Sequence, residues 1–174
     1  MNNTYSYDGR DESLHDQNEK RKQLLKMQKK TKVVSQNIAV KKLFPSAELP
    51  TKATSDDAGW DLYSSEDVTI PKGATVLIGT GISMAIPRGY AGLIWDRSSM
   101  GVKGIHRHAG VVDSGYRGHI KVCLHNSSEE FYHVKRGDRI AQMVIQEVPT
   151  FNLNEVDNLD DSERGDGGFG SSGK

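Results

Sequence analysis

The stretch that packs most chemistry into fewest residues is Ala109-Gly110-Val111-Val112-Asp113-Ser114-Gly115-Tyr116-Arg117-Gly118. It reads as strand, tight turn, strand, with Asp113 at the rim of a hairpin. An aspartate there serves either as a turn former or as a carboxylate held to take a proton from water, which demands reach first and a suitable pKa second. Tyr116 reads as a core aromatic or as a gate shaped against a ligand. Upstream, Arg97-Ser98-Ser99-Met100-Gly101 offers a guanidinium and two hydroxyls after a strand, a donor set suited to an anion and equally at home on a solvated loop.

A third donor-rich segment closes the chain: Arg164-Gly165-Asp166-Gly167-Gly168-Phe169-Gly170-Ser171-Ser172-Gly173. Gly165-x-Gly167-x-x-Gly170 has the spacing of a dinucleotide fingerprint, but no βαβ unit surrounds it and no room for a helix remains, so that reading is rejected. What survives is physical. Glycines let backbone N–H groups approach an anion, the serines add hydroxyls, Arg164 brings bidentate charge, and Phe169 has a flat face for a base. Without the arginine and the aromatic, the segment would read as a bare linker. His106 and His108 have the spacing of a metal pair on one side of a strand, yet nothing nearby completes a tetrahedral set. Cys123 reads as a small buried apolar residue, and a Cys123–His125 nucleophilic pair lacks a third group. Asn126-Ser127-Ser128 is a glycosylation sequon without a secretory signal and is set aside.

These segments must be positioned by a chain of 174 residues with 23 basic and 23 acidic side chains, enough for one ordinary domain plus tails. The neutral balance argues against direct nucleic-acid binding as the main task. No apolar run approaches the ~20 residues of a membrane span, and none follows the N-terminus as a signal peptide would require. The single cysteine points to a reducing compartment, intracellular and by default cytoplasmic. Residues 1–36 hold eight basic and five acidic residues and read as a polar, disordered extension; Lys20–Lys32 would be a short basic helix, marginal without a partner.

From Ile38 short apolar stretches alternate with turn residues, the pattern of an all-β domain. Strands are expected at Ile38–Leu43, Gly59–Ser64, Asp67–Ile70, Thr75–Ile86, Tyr90–Trp95, Gly110–Asp113, His119–His125, Phe131–Val134 and Arg139–Val148, with a short helix at Ser98–Lys103. The absence of βαβ spacing favours a sandwich or barrel. The domain plan is an extension (1–36), a β-barrel (37–151) and a flexible arm (152–174). From Asn158 the arm could reach roughly 55 Å if extended, enough to cross a neighbouring subunit.

In order, Ala58-Gly59-Trp60-Asp61-Leu62, Arg97-Ser98-Ser99-Met100-Gly101, Gly110 to Gly118, Gly137-Asp138-Arg139-Ile140-Ala141-Gln142 and Arg164 to Ser171 resemble the five motifs of trimeric dUTP pyrophosphatases, or dUTPases. The resemblance covers about Ile38 to Lys174. It implies a jelly-roll-like β-barrel, a homotrimer with sites shared between subunits, and hydrolysis of dUTP to dUMP and pyrophosphate with Mg²⁺. Asp113 would activate the attacking water, and Tyr116 would lie under the deoxyribose, where a 2′-hydroxyl clashes. The hairpin around His108, Ala109, Gly110 and Val112 would read uracil through its main chain. Arg97, Ser98, Ser99, Lys121 and Gln142 would contact the nucleotide, chiefly its phosphates. Arg164 would meet the γ-phosphate, Phe169 would cover the base, and Gly170 and Ser171 would donate to the phosphates. The ion would be held by triphosphate and waters, with Asp61 nearby and no direct protein ligand.

Two positions depart from the pattern. Asp96 adds an acid beside the phosphate binders, harmful to anion binding unless Arg97 pairs with it, and Trp60 is bulky for the first motif and is expected to pack in a buried place. A deaminase of the same fold would need a glutamate where Cys123 stands, and a thiol cannot replace that carboxylate. A non-catalytic binding protein would not need Asp113, Tyr116, Arg164 and Phe169 together.

Overall fold

The computed structural model describes residues 37–168 together with Glu19 and Lys22. Contacts divide the chain into two units, residues 1–37 and 38–174. In the first, Glu19 and Lys22 are helical and form an ion pair at 3.0 Å; the rest of the expected basic helix lies outside the described residues.

The described residues of the second unit form eleven strands: β1 (Ala39–Lys42), β2 (Trp60–Tyr63), β3 (Val68–Ile70), β4 (Thr75–Gly79), β5 (Ile82–Ala85), β6 (Tyr90–Trp95), β7 (Ile105–Arg107), β8 (Val111–Val112), β9 (Lys121–Asn126), β10 (Tyr132–Val134) and β11 (Arg139–Glu147). Among the described residues of this unit the one short helix, α1, spans Ser98–Gly101. Every pairing is antiparallel. A four-stranded sheet runs β2-β11-β6-β8, a three-stranded sheet β4-β9-β7, and two-stranded ribbons join β1 to β5 and β10 to β3. The all-β, jelly-roll-like expectation therefore holds.

One core serves all the sheets. Leu62, Ile94, Ile140 and Met143 from the larger sheet meet Ile78, Ile105, Val122 and Leu124 from the smaller one, with Ile70, Ile82 and Val134 from the ribbons. Strand alternation produces this: in β9, Val122, Leu124 and Asn126 point inward while Lys121, Cys123 and His125 face outward. Each fully buried aliphatic side chain contributes about 1.5–3 kcal/mol. Asn126 is the polar exception. Its Nδ2 donates to the carbonyls of Ile70 (2.9 Å) and Glu130 (2.7 Å) and its Oδ1 accepts from Ser128, so the residue of the disregarded sequon is an internal strut.

Three expectations need correction. Thr75–Ile86 is two strands, because Gly81 adopts φ +73° and turns the chain from β4 in one sheet to β5 in a ribbon. β7, where the spacing of His106 and His108 places a strand, is missing from the expected strands; its apolar content is a single buried Ile105. The segment from β8 to β9 is no hairpin: β8 pairs with β6 and β9 pairs with β4 and β7, so the turn carries the chain between sheets.

Candidate functional site

That crossing turn lines a cleft of about 680 Å³ whose wall includes Gly110, Val112, Asp113, Tyr116, His119, Lys121 and Cys123. Val112 is buried against β6 while Asp113, the next residue, is exposed. The turn is closed by the Tyr116 amide donating to the Asp113 carbonyl (3.1 Å), and the Tyr116 hydroxyl donates to the His119 carbonyl (3.1 Å). The ring folds back over Gly118, where a Cβ would lie 2.5 Å from Tyr116 Cζ. A side chain at Gly118 would therefore push the Tyr116 ring out of this position. Arg117 bonds the Ser114 and Tyr116 carbonyls, stiffening the turn. On its other side Asp113 also borders a second cleft, lined by Tyr90, Ser114, Val148 and Phe151, where the arm leaves the barrel.

A second cluster forms where β2, β6 and β11 lie side by side. Pairing sets Gln142 opposite Asp61 and Trp95. Asp61, whose side chain is 16% exposed, accepts from Arg97 Nε at 2.8 Å and from Arg139 at 3.2 Å. Arg97 also donates to the Arg139 carbonyl (3.2 Å), and Gln142 Nε2 donates to the Asp96 carbonyl (2.9 Å). One carboxylate between two guanidiniums leaves a formal surplus of positive charge, beside the exposed hydroxyl-bearing residues Ser98 and Ser99 of α1. Such an assembly is suited to an anion with several oxygens.

Arg97 thus pairs with Asp61 and not with Asp96. The Asp96 carboxylate turns instead to the Arg107 amide (2.7 Å) and to His106 (3.6 Å), which removes the expected conflict with the phosphate donors. His106 and His108 serve different partners: His108 stacks on His125, with ring centroids 4.7 Å apart. Among the described residues no group of three or more His, Cys, Asp or Glu is placed to hold a metal ion. His125 Nδ1 meets Thr75 Oγ1 (3.1 Å). Cys123, expected in the core, is half-buried and lines the cleft. Trp60, also expected to be buried, stands 41% exposed at the start of the sheet's edge strand with Lys52 Nζ 5.1 Å above its ring.

The fold gathers the expected residues into two groups. Asp113, Tyr116, Gly110, Val112 and Lys121 share the cleft, whereas Arg97, Gln142 and Asp61 are joined in the cluster, and none of these three lines the cleft. Arg164 belongs to neither; its Nε donates to Gly167 O (2.8 Å) within the arm. Phe169, Gly170 and Ser171 lie outside the described residues. Two residues escaped the sequence reading: Arg139, which stood inside the fourth motif without a role, and His119, whose only signal was its place beside the densest motif.

An all-β barrel with a donor-rich anion cluster and a cleft rimmed by an exposed carboxylate is the framework of a nucleotide-processing hydrolase. The dUTPase family profile matches residues 45–173. The deoxyuridine 5'-triphosphate nucleotidohydrolase of Candida albicans is 45% identical over 150 residues, covering 84% of this chain and 94% of that protein. That of Rhodococcus erythropolis is 48% identical over 141 residues, covering 79% and 86%. Among solved structures, Staphylococcus bacteriophage 80alpha dUTPase with dUPNHPP superposes with a TM-score of 0.77 at 30% identity, covering 80% of this chain and all of that one. A mutant dUTPase from phage phi11 of S. aureus, described with a structural Mg(II) ion, gives 0.69 at 25% identity over 72% of this chain. This chain belongs to the dUTPase family.

Proposed function

We propose that the chain hydrolyses dUTP to dUMP and pyrophosphate, limiting uracil incorporation into DNA and supplying dUMP for thymidylate synthesis. The observation that carries this reading is the cleft that sets the exposed Asp113 and the Tyr116 ring beside the main chain of Gly110–Val112. Uracil and cytosine differ in donor and acceptor pattern, and a fixed backbone satisfies one of them. A narrow slot also excludes the thymine methyl.

In this mechanism Asp113 accepts a proton as a water oxygen bonds to the α-phosphorus. The bond from that phosphorus to the α–β bridging oxygen breaks, and pyrophosphate leaves with the electron pair. Asp113 then returns its proton to solvent. Arg97, Ser98, Ser99 and Gln142 hold phosphate oxygens, and Lys121 adds charge at the cleft. Donors fixed before the reaction stabilise the developing charge without reorganising. Mg²⁺ would neutralise triphosphate charge when bound. Both Asp61 oxygens already accept from arginines, a donor set that suits an ion held through substrate oxygens and water, with Asp61 near its water shell.

The division of the expected residues between cleft and cluster supports a homotrimer in which each site draws on more than one subunit. The arm supports the same reading, because Phe151, Leu153 and Leu159 project apolar side chains outward, Leu153 at 98% exposure. Arg164 would then reach the γ-phosphate, Phe169 would cover the base and Gly170 and Ser171 would complete the phosphate donors. No helix among the described residues is long and apolar enough to cross a membrane. The deciding experiment is pyrophosphate release from dUTP, dTTP, dCTP and UTP at fixed Mg²⁺, with ammonia monitored. Preference for dUTP is expected; ammonia from dCTP would overturn the assignment.

A further inference from the structure

We propose that His119 is a positioning residue whose neutral imidazole holds the Tyr116 wall of the cleft, so that deoxynucleotide binding weakens when the ring is protonated. This rests on the cleft being the nucleotide site proposed above. His119 is bonded at both ends. Its Nε2 accepts from the Gly81 amide at the β4–β5 bend (2.7 Å), and its carbonyl accepts from the Tyr116 hydroxyl (3.1 Å). One residue therefore ties the ring expected beneath the sugar to the adjoining ribbon.

An imidazole nitrogen that accepts from an N–H carries no proton, which places the ring hydrogen on Nδ1 in the neutral form. Protonation at Nε2 would set one N–H against another, so the ring would have to leave Gly81 and the Tyr116 anchor would loosen with it. The surroundings favour the neutral state. Burial pushes the imidazole below its ordinary 6.5, the Lys121 ammonium on β9 pushes the same way, and Glu66 opposes them. The Glu66 carboxylate accepts from the Gly79 amide (2.7 Å), and the uncharged Phe44 ring meets His119 edge-on, 6.4 Å between centroids. By linkage, the unfolded chain takes this proton first, so stability is full above about pH 6.5 and falls as pH drops toward the lower folded value.

The test measures kcat and KM for dUTP and UTP from about pH 7.5 to 5.5 in the wild type, His119→Gln and His119→Ala. In the wild type, KM for dUTP should rise about fivefold on acidification and preference over UTP should fall by a similar factor, as expected for one lost hydrogen bond. His119→Gln supplies an amide oxygen that accepts from Gly81 without titrating, so it should abolish the acid rise in KM and keep the preference. His119→Ala should show weakened preference at every pH. An acid rise unchanged in His119→Gln, or wild-type preference in His119→Ala, would overturn the proposal.

A readout independent of turnover separates this from the function itself. In wild-type protein carrying ¹³C-labelled His and Tyr and ¹⁵N-labelled Gly, the His119 ring, the Gly81 amide and the Tyr116 ring should titrate with one midpoint. A Tyr116 signal that ignores the His119 titration would sink the proposal even if dUTP is hydrolysed. Coupled titration with no nucleotide hydrolysed would instead retire the functional reading and leave the coupling standing.

Discussion

The cluster at β2, β6 and β11 and the cleft beside β8 answer opposite electrostatic demands. In the cluster every charge is engaged: Asp61 lies between Arg97 and Arg139, and Gln142 is fixed to the Asp96 carbonyl. In the cleft Asp113 is exposed, and among the described residues its carboxylate has no hydrogen-bond donor. Anion recognition gains from donors locked beforehand, since no reorganisation is then needed as charge develops. A general base must keep its lone pairs for water, and partners that hold a carboxylate ionised also weaken it as a base. Under the proposed function, the contrast fits phosphate binding in the first region and proton transfer in the second.

The hardest way to break that division is at Asp113. Asp113→Asn keeps shape and loses basicity, so kcat should fall about 10³-fold while a non-hydrolysable dUTP analogue binds nearly as before. Pyrophosphate release and calorimetric titration check the two halves of this statement. Turnover within tenfold of wild type would place the base elsewhere.

Truncation after Asp161 tests whether cleft and cluster suffice without the arm. Residues 152–168 form no strand and their apolar side chains are exposed, so the melting temperature should change by no more than about 2 °C. Hydrolysis should drop about 100-fold through loss of Arg164 and the lid that excludes water. Normal turnover by the truncated protein would remove the arm from the site.

Asp61→Ala asks how much the locked half depends on its one carboxylate. Two guanidiniums would lose their common partner in a partly buried place, at a cost of about 2 kcal/mol in urea unfolding. The KM for dUTP should rise as Arg97 loses its orientation. An unchanged urea midpoint would mean that the arginines hold their places without it.

How much of this could be read from the sequence depended on the range of the interactions. Short apolar stretches bounded by turn residues announced β9 and β11 as strands, because strand-length runs between turns are a local signal. β7 left no such signal, having one inward apolar residue in Ile105. The motifs disclosed Asp113 and Arg97 by residue type. The Asp61–Arg97–Arg139 bridge joins residues 36 and 78 positions apart, and it takes the pairing of β11 with both β2 and β6 to bring them together. Trp60 and Cys123 were misplaced for a related reason. Residue type predicts burial on average, whereas the end of an edge strand and the outward side of β9 are set by sheet order. His119 follows the same logic, since its acceptor role exists only once β4 has turned at Gly81.

The mildest challenge to the locked half is Tyr132→Phe. The Tyr132 hydroxyl donates to Met100 Sδ (3.1 Å), steadying α1 and hence Ser98 and Ser99 from beneath. Burial pushes the phenol above its ordinary 10.0, Asp138 adds to the rise and Arg97 opposes it. The folded protein therefore holds this proton after the unfolded chain has released it. The resulting stability is complete below about pH 10 and is lost as pH climbs through the folded value. Phenylalanine removes both the bond and the titration. At neutral pH the variant should lose about 0.5 kcal/mol, and above about pH 10 its urea midpoint should decline less steeply than that of the wild type. If α1 relies on this contact, the KM for dUTP rises slightly while kcat holds, as expected for a group that supports the phosphate donors without touching the reacting atoms. A fall in kcat with KM unchanged would instead place Tyr132 on the side of the chemistry and blur the boundary between the two regions.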